Sequence, residues 1–389
     1  MKVSVCCHIC KNKTLQVVRG YDYFPQVTSD CKLWRGRSSL VICQTCGSVQ
    51  KITDHAWSKD AQSIYSNYTL YHQANGKEQA VFDINSGKTS RRSESVLQYV
   101  ETRINLKPSG RYMDLGCGSG NALRYFSGLR PRWLLSGAEL SSKFRKEVES
   151  ISKRVLFYSC PLKRIPGRFN LITMFHLLEH IIDPVHFLVE VRDKLASDGF
   201  LVIDVPDYRH NPFDLFVTDH CMHFTMPTLR AVLFNAGFEI DSISSSLIPK
   251  ELVVIARKKR EIKGDNCVKR LGAASYPLSH VACALAWVKL FLERAKKLSE
   301  KDNFGIFGTS ITATWLMGRV GGRVRFFVDE DPCRQGRSYL GVPVYHPQDI
   351  PNGSNVFLAL PFGMAKKISK RLSRKESKFY LPPLKERSK

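Results

Sequence analysis

The chain has 389 residues, 43% hydrophobic and 24% charged, which is enough for two or three domains that each bury a core. Its formal charge of +24 would fit a nucleic-acid partner, but Lys and Arg are scattered, with denser patches only at 257–260 and 366–375. We therefore read them as solvated linkers and helix faces, in a field that also suits an anionic small substrate. Twelve cysteines, with no leader-like apolar run in the opening residues, argue for metal or free thiols in a reducing, cytoplasmic setting rather than a disulfide framework. The best apolar helix, 281–292, is interrupted by Lys289 and too short to span a bilayer.

Residues 1–60 carry two knuckles, Cys7-x-x-Cys10 and Cys43-x-x-Cys46. Each supplies two thiolates from one tight turn, and four thiolates close a tetrahedral site, so a structural zinc ion is expected to hold this small domain together. Cys6 is a competing first ligand and Cys31 a spare. Residues 61–90 form a connecting segment rich in tyrosine, read either as a linker whose tyrosines pack on the neighbouring domain or as a cover for an active site through Tyr68, Tyr71 and His72.

From 91 to 257 strand and helix signals alternate, which predicts an α/β fold with a doubly wound, mostly parallel sheet. Its first strand, 112–115, runs into Asp114-Leu-Gly-Cys-Gly-Ser-Gly120. A nicotinamide fingerprint would need a glycine where Asn121 stands, whereas the spacing here is D-x-G-x-G-x-G. That pattern resembles motif I of class I S-adenosylmethionine-dependent methyltransferases. The resemblance implies that Asp114, Gly116, Cys117, Gly118 and Gly120 seat S-adenosyl-L-methionine. A second strand, 133–139, ends in Glu139, at the separation where a carboxylate receives the two ribose hydroxyls. Ser159 and Cys160 stand where many class I enzymes place an adenine-binding acid.

The fourth strand, 169–174, leads into His176 and His180, with Asp183-Pro184 opening the next helix. His176 is expected in the cofactor pocket. His180 is expected nearer the substrate, where it could move a proton at neutral pH. After the fifth strand, 200–205, comes Asp219-His220-Cys-Met-His223. Metal binding by Asp219, His220 and His223 is the less favoured reading, because neighbouring strand ends offer no further ligand set. Residues 238–244 and 251–256 close the sheet as a hairpin.

Beyond a basic hinge and helix at 258–300, residues 301–389 repeat strand, glycine turn (Phe304-Gly-Ile-Phe-Gly-Thr-Ser310), helix, strand and acid, which predicts a second Rossmann-like unit. Knuckles, tyrosine-rich segment, motif I core and terminal unit together resemble the sugar-nucleotide C-methyltransferases. That resemblance implies a zinc-binding N-terminal domain, a substrate-reaching tyrosine at Tyr68 or Tyr71, and a C-terminal domain that helps hold the nucleotide. It also implies an acid–His pair in the loop after strand five, here Asp219-His220 with Asp in place of the usual Glu, so that His220 or His180 acts as base. O-methylation, a nucleic-acid substrate and a non-enzymatic scaffold are the alternatives. The basic patches lack the aromatic interleaving of a base-reading module.

Overall fold

The computed structural model describes residues 6–70, 78, 80–82, 89–259, 275–372 and 377–384. The central sheet has seven strands: β1 (Arg111–Leu115), β2 (Leu134–Ala138), β3 (Val155–Tyr158), β4 (Phe169–Phe175), β5 (Leu195–Pro206), β6 (Phe238–Ser244) and β7 (Glu251–Lys258). They lie in the order β3-β2-β1-β4-β5-β7-β6. The first five are parallel, and β7 runs antiparallel to both of its neighbours. The order reverses between β1 and β4, so their carboxyl ends diverge and leave the crevice in which open α/β sheets bind ligands.

Alternate side chains of the central strands feed two different cores, as the period of two demands. Met113, Ile172, Met174, Leu201, Ile203 and Val254 pack with Leu188 and Val191 of helix Pro184–Lys194 and with Leu229 and Val232 of helix Met226–Asn235. Tyr112, Leu171, Val202, Val253 and Ile255 pack with Val96, Leu97, Leu123 and Phe126, from helices Arg92–Arg103 and Asn121–Leu129. Helix Pro184–Lys194 begins as its sequence predicts: Pro184 occupies the first turn, and the Asp183 carboxylate accepts the His186 backbone N–H at 3.2 Å.

A six-stranded sheet lies toward the C-terminus, with strands Phe304–Phe307, Phe326–Val328, Val342–Tyr345, Asn355–Leu358 and Lys378–Tyr380 parallel and Ser338–Tyr339 antiparallel at one edge. Helix Ser275–Leu298 packs against it through Val281, Val288 and Phe291. The same core takes in Tyr21, Val27, Leu40 and Ile42 from the N-terminal region and Phe213, Leu215 and Phe216 from the loop after β5.

The N-terminal sheet contains an element that local sequence patterns do not reveal. Strands Leu15–Val17, Leu40–Cys43 and Val49–Lys51 are completed by Met222–His223, which pairs antiparallel with Val49 and Gln50. The loop after β5 therefore belongs to two structures at once. Among the described residues no helix is long and apolar enough to cross a membrane.

Candidate active site

The carboxyl edge of β1, β2, β4 and β5 opens on a cavity of about 1430 Å³, walled on its far side by the glycine turn of the C-terminal sheet at Phe307–Ser310 and by Asp329–Arg334. Gly116, Gly118 and Gly120 have φ of 75°, 48° and 81°. An L side chain rarely adopts this left-handed region, which is the physical reason for glycine at these positions. The Glu139 carboxylate, at the end of β2, accepts the Gly118 N–H at 3.1 Å and the Leu140 N–H at 2.8 Å. Glycine loop and acid thus meet at one point of the cavity wall.

Asp114 sits beneath the loop, 3% exposed, and accepts a hydrogen bond from Thr173 Oγ1 at 2.6 Å. Burial raises its pKa to about 7, against the opposing effect of the Thr173 hydroxyl. Cys117 is buried against the β2 backbone, where a Cβ on Gly137 would lie 2.7 Å from its sulfur. Its side chain therefore packs against β2, beneath the ligand face of the loop, and the residue still borders the cavity. On that ligand face Leu70 approaches so closely that a Cβ on Gly118 would lie 2.8 Å from its Cδ2.

His176 leaves β4 with φ of 49°, and its ring reaches Glu179 at 3.2 Å through Nδ1 and Glu251 at 3.1 Å through Nε2. Burial and nearby Arg92 push its pKa down, but Glu251 and Glu179 outweigh them and hold it at about 10. Arg92 closes the cluster with its Nε 3.1 Å from Glu251. This is a charged wall beside the glycine loop.

The second set of polar groups lines the same cavity farther along. His220 is 2% exposed, and its Nδ1–H donates to Asp214 Oδ1 at 2.7 Å, which leaves Nε2 as the atom available to a ligand. Burial alone would lower the His220 pKa, but Asp214, with smaller help from Glu179 and Asp219, raises it. Asp214 is in turn held below the usual carboxylate range: burial opposes this, but His220 and His223 prevail. The His180 ring stands edge-on to that of His220, with centroids 4.7 Å apart. Its Nδ1 is 2.9 Å from the Asp219 carbonyl and 3.0 Å from the Tyr65 hydroxyl, and burial and His220 lower its pKa.

Most of the expected residues meet at this cavity, while Gly120 closes the glycine loop outside its lining. His176, His180 and His220 come together at the cavity with Asp114, Gly116, Cys117, Gly118, Glu139 and Tyr68. Tyr71 lies outside the described residues. The Asp219 carboxylate makes no hydrogen bond to His220; it accepts the backbone N–H and hydroxyl of Ser29, at 2.9 and 2.5 Å, and lies 3.6 Å from His180 Nδ1. Asp214 and Tyr65 are the groups that the sequence reading passed over. The available signal was modest: Asp214 follows the loop at the carboxyl edge of β5, and Tyr65 opens the aromatic run.

At the other end of the N-terminal sheet, Cys7, Cys10, Cys43 and Cys46 each offer a sulfur within 4.8 Å of the other three, and the closest pairs are 3.5 Å apart. Zn–S bonds in tetrahedral geometry require sulfurs roughly 3.8 Å apart. The donor set therefore fits zinc.

A methyltransferase-domain family model matches residues 89–243. A ubiquinone biosynthesis O-methyltransferase of Xanthomonas euvesicatoria is 27% identical over 173 residues, 39% of this chain and 71% of the relative. Among solved structures, the mitomycin 7-O-methyltransferase MmcR is 15% identical with a TM-score of 0.38, covering 43% of this chain and 54% of its own. An S-adenosylmethionine-dependent methyltransferase from Mesorhizobium loti is 18% identical with a TM-score of 0.37, covering 42% of this chain and 98% of its own. Residues 89–243 thus carry a methyltransferase domain.

Proposed function

We propose that the protein transfers a methyl group from S-adenosylmethionine to carbon of a nucleotide-linked keto sugar. The observation that carries this reading is a single cavity that joins the glycine loop and Glu139 to the Asp214–His220 pair and reaches the C-terminal glycine turn. Gly116, Gly118 and Glu139 are assigned to the cofactor, with the Glu139 carboxylate accepting the ribose hydroxyls. Bound there, S-adenosylmethionine supplies an electrophilic methyl group.

His220 is the base. Asp214 fixes its Nδ1 proton, so the neutral ring presents the Nε2 lone pair to the cavity, the arrangement a general base requires. A C–H beside a ketone gives up its proton to that nitrogen and leaves an enolate nucleophile. His180, with Tyr65 on its Nδ1, flanks the same space and orients the acceptor. Much of the rate would come from alignment of nucleophile and methyl group in the enclosed cavity. The C-terminal unit holds the nucleotide portion, and the four cysteines hold a structural zinc ion.

O-methylation is the second reading, favoured by the name of the Xanthomonas relative; His220 would then take a hydroxyl proton. The test is mass spectrometry of products from a panel of nucleotide-linked keto sugars, with deuterium exchange at the carbon next to the carbonyl. A methyl group on carbon with base-dependent exchange supports the proposal. Methylation confined to oxygen, or no turnover of any keto sugar, overturns it.

A further inference from the structure

Asp214 has two oxygens and two histidines. Oδ1 takes His220 at 2.7 Å and Oδ2 takes His223 at 2.7 Å, while all three side chains are at least 97% buried. A carboxylate so enclosed needs donors on both oxygens, because an unmatched lone pair there costs the desolvation it has already undergone. The two imidazoles are nonetheless different. His220 lines the cavity, whereas His223 does not, and His223 Nε2 is buried without a hydrogen-bond partner among the described residues. A ring with nothing to accept a second proton stays neutral, and its single proton must be on Nδ1, facing Asp214. Burial accordingly pushes the His223 pKa down to about 4, against the pull of Asp214.

The backbone of His223 is held from outside the methyltransferase domain. Met222–His223 is the fourth strand of the N-terminal sheet, paired with Gln50 and Val49. The next residue of that sheet, Lys51, is fully buried, and its ammonium group donates to the carbonyl of Leu215 at 2.7 Å, one residue from Asp214.

We infer that His223 is a positioning residue: a neutral hydrogen-bond donor, anchored by the N-terminal sheet, that locks Asp214 in the rotamer that aligns His220 toward the cavity. This rests on the reading of His220 as base. The groups that set the state of His220 are Asp214, Glu179 and Asp219, with His180 packed against it and Lys51 acting on His223. Without the donor on Oδ2, Asp214 is free to turn, and the tautomer and tilt of His220 are no longer fixed.

The experiment uses the full chain with nitrogen-15-labelled histidine, as wild type, His223→Asn and His223→Phe, with His220→Gln to assign the signal. Asparagine places an amide N–H close to the position of imidazole Nδ1, whereas phenylalanine keeps a ring and removes the donor. The expected result is a His220 Nδ1–H tautomer and titration midpoint retained in the Asn variant and lost in the Phe variant, with calorimetric affinity for S-adenosylmethionine unchanged in both. Methyl transfer should fall about 100-fold in His223→Phe, in kcat more than in KM, the scale expected for a misplaced base. An unaltered His220 spectrum and pH profile in His223→Phe overturns the inference. Should that variant fail to fold, the Asn variant decides: native His220 behaviour supports the inference and a lost tautomer overturns it. The spectra need no acceptor, so failure of the wild-type protein to methylate any keto sugar counts against the proposed function and leaves this test standing.

Discussion

Asp219→Ala separates a structural from a chemical role for the acid that immediately precedes His220, the base we propose. The Asp219 side chain is fully buried, and its two oxygens accept from Ser29 N and Ser29 Oγ. Nearby contacts tie the same stretch to the N-terminal region: Thr218 N–H donates to the Val27 carbonyl at 2.8 Å, and Trp57 Nε1 donates to the Thr218 carbonyl at 2.8 Å. Hydrogen bonds to a charged group contribute about 1.5–3 kcal/mol each, and part of that is offset when a buried carboxylate no longer has to be desolvated. Two such bonds therefore give a net loss of about 2–4 kcal/mol for Asp219→Ala. Urea unfolding followed by tryptophan fluorescence would read it, since Trp57 sits at the contact. Affinity for S-adenosylmethionine should stay within about twofold, because Glu139 and the glycine loop are untouched. Unchanged stability with abolished methyl transfer would refute this reasoning and return Asp219 to the chemistry.

Cys43→Ser/Cys46→Ser should lose stoichiometric zinc and lower the thermal midpoint; metal analysis that finds one zinc per chain in this variant would remove the four-cysteine assignment. Glu139→Ala should weaken S-adenosylmethionine binding about 10-fold or more by calorimetry, as expected for loss of a charged acceptor for two hydroxyls. Since Asp214 raises the pKa of His220, kcat/KM should increase with pH through a midpoint above the ordinary imidazole value, and Asp214→Asn should move that midpoint down. The stability that this pair contributes runs the opposite way. It is fully present below the unfolded imidazole pKa and is lost as pH rises through the raised folded value, which urea titrations across pH 6–9 would show.

The central sheet was legible because its signals are local. A buried parallel strand is an apolar run, a left-handed turn demands glycine, and Asp183-Pro184 caps a helix by chemistry that needs no distant partner. The strand at Met222–His223 was not legible. Two residues carry no periodicity, and their partners Val49 and Gln50 lie more than 170 positions away. The hydrogen-bond partner of His220 was not legible for a related reason. Asp219 is adjacent in sequence, but adjacent side chains rarely share a face, and the oxygen that meets His220 comes from Asp214. Tyr65 shows the same limit, since the aromatic run announced a tyrosine near the site, and only the end of helix His55–Ser66 decides which ring reaches His180.

These non-local pieces have one consequence in common. Residues 65–70 touch both halves of the cavity, Tyr65 at His180 and Leu70 over Gly118. Arg91, at the entry to the methyltransferase domain, pairs with Asp331 of the C-terminal unit at 3.7 Å, while Arg92 beside it pairs with Glu251 of β7. His220 donates to Asp214, Asp214 accepts on its other oxygen from His223, and His223 lies in a strand of the N-terminal sheet, so the base we propose is tied to that sheet. The seat that we propose for the methyl donor is built within the central sheet, because the loop, β2 and Glu139 are contiguous there. The acceptor side that we propose has no such autonomy: its polar groups hold their geometry only while the N-terminal sheet, the loop after β5 and the central sheet stay in register. Changes in the flanking regions should therefore act first on the acceptor and only later on the donor.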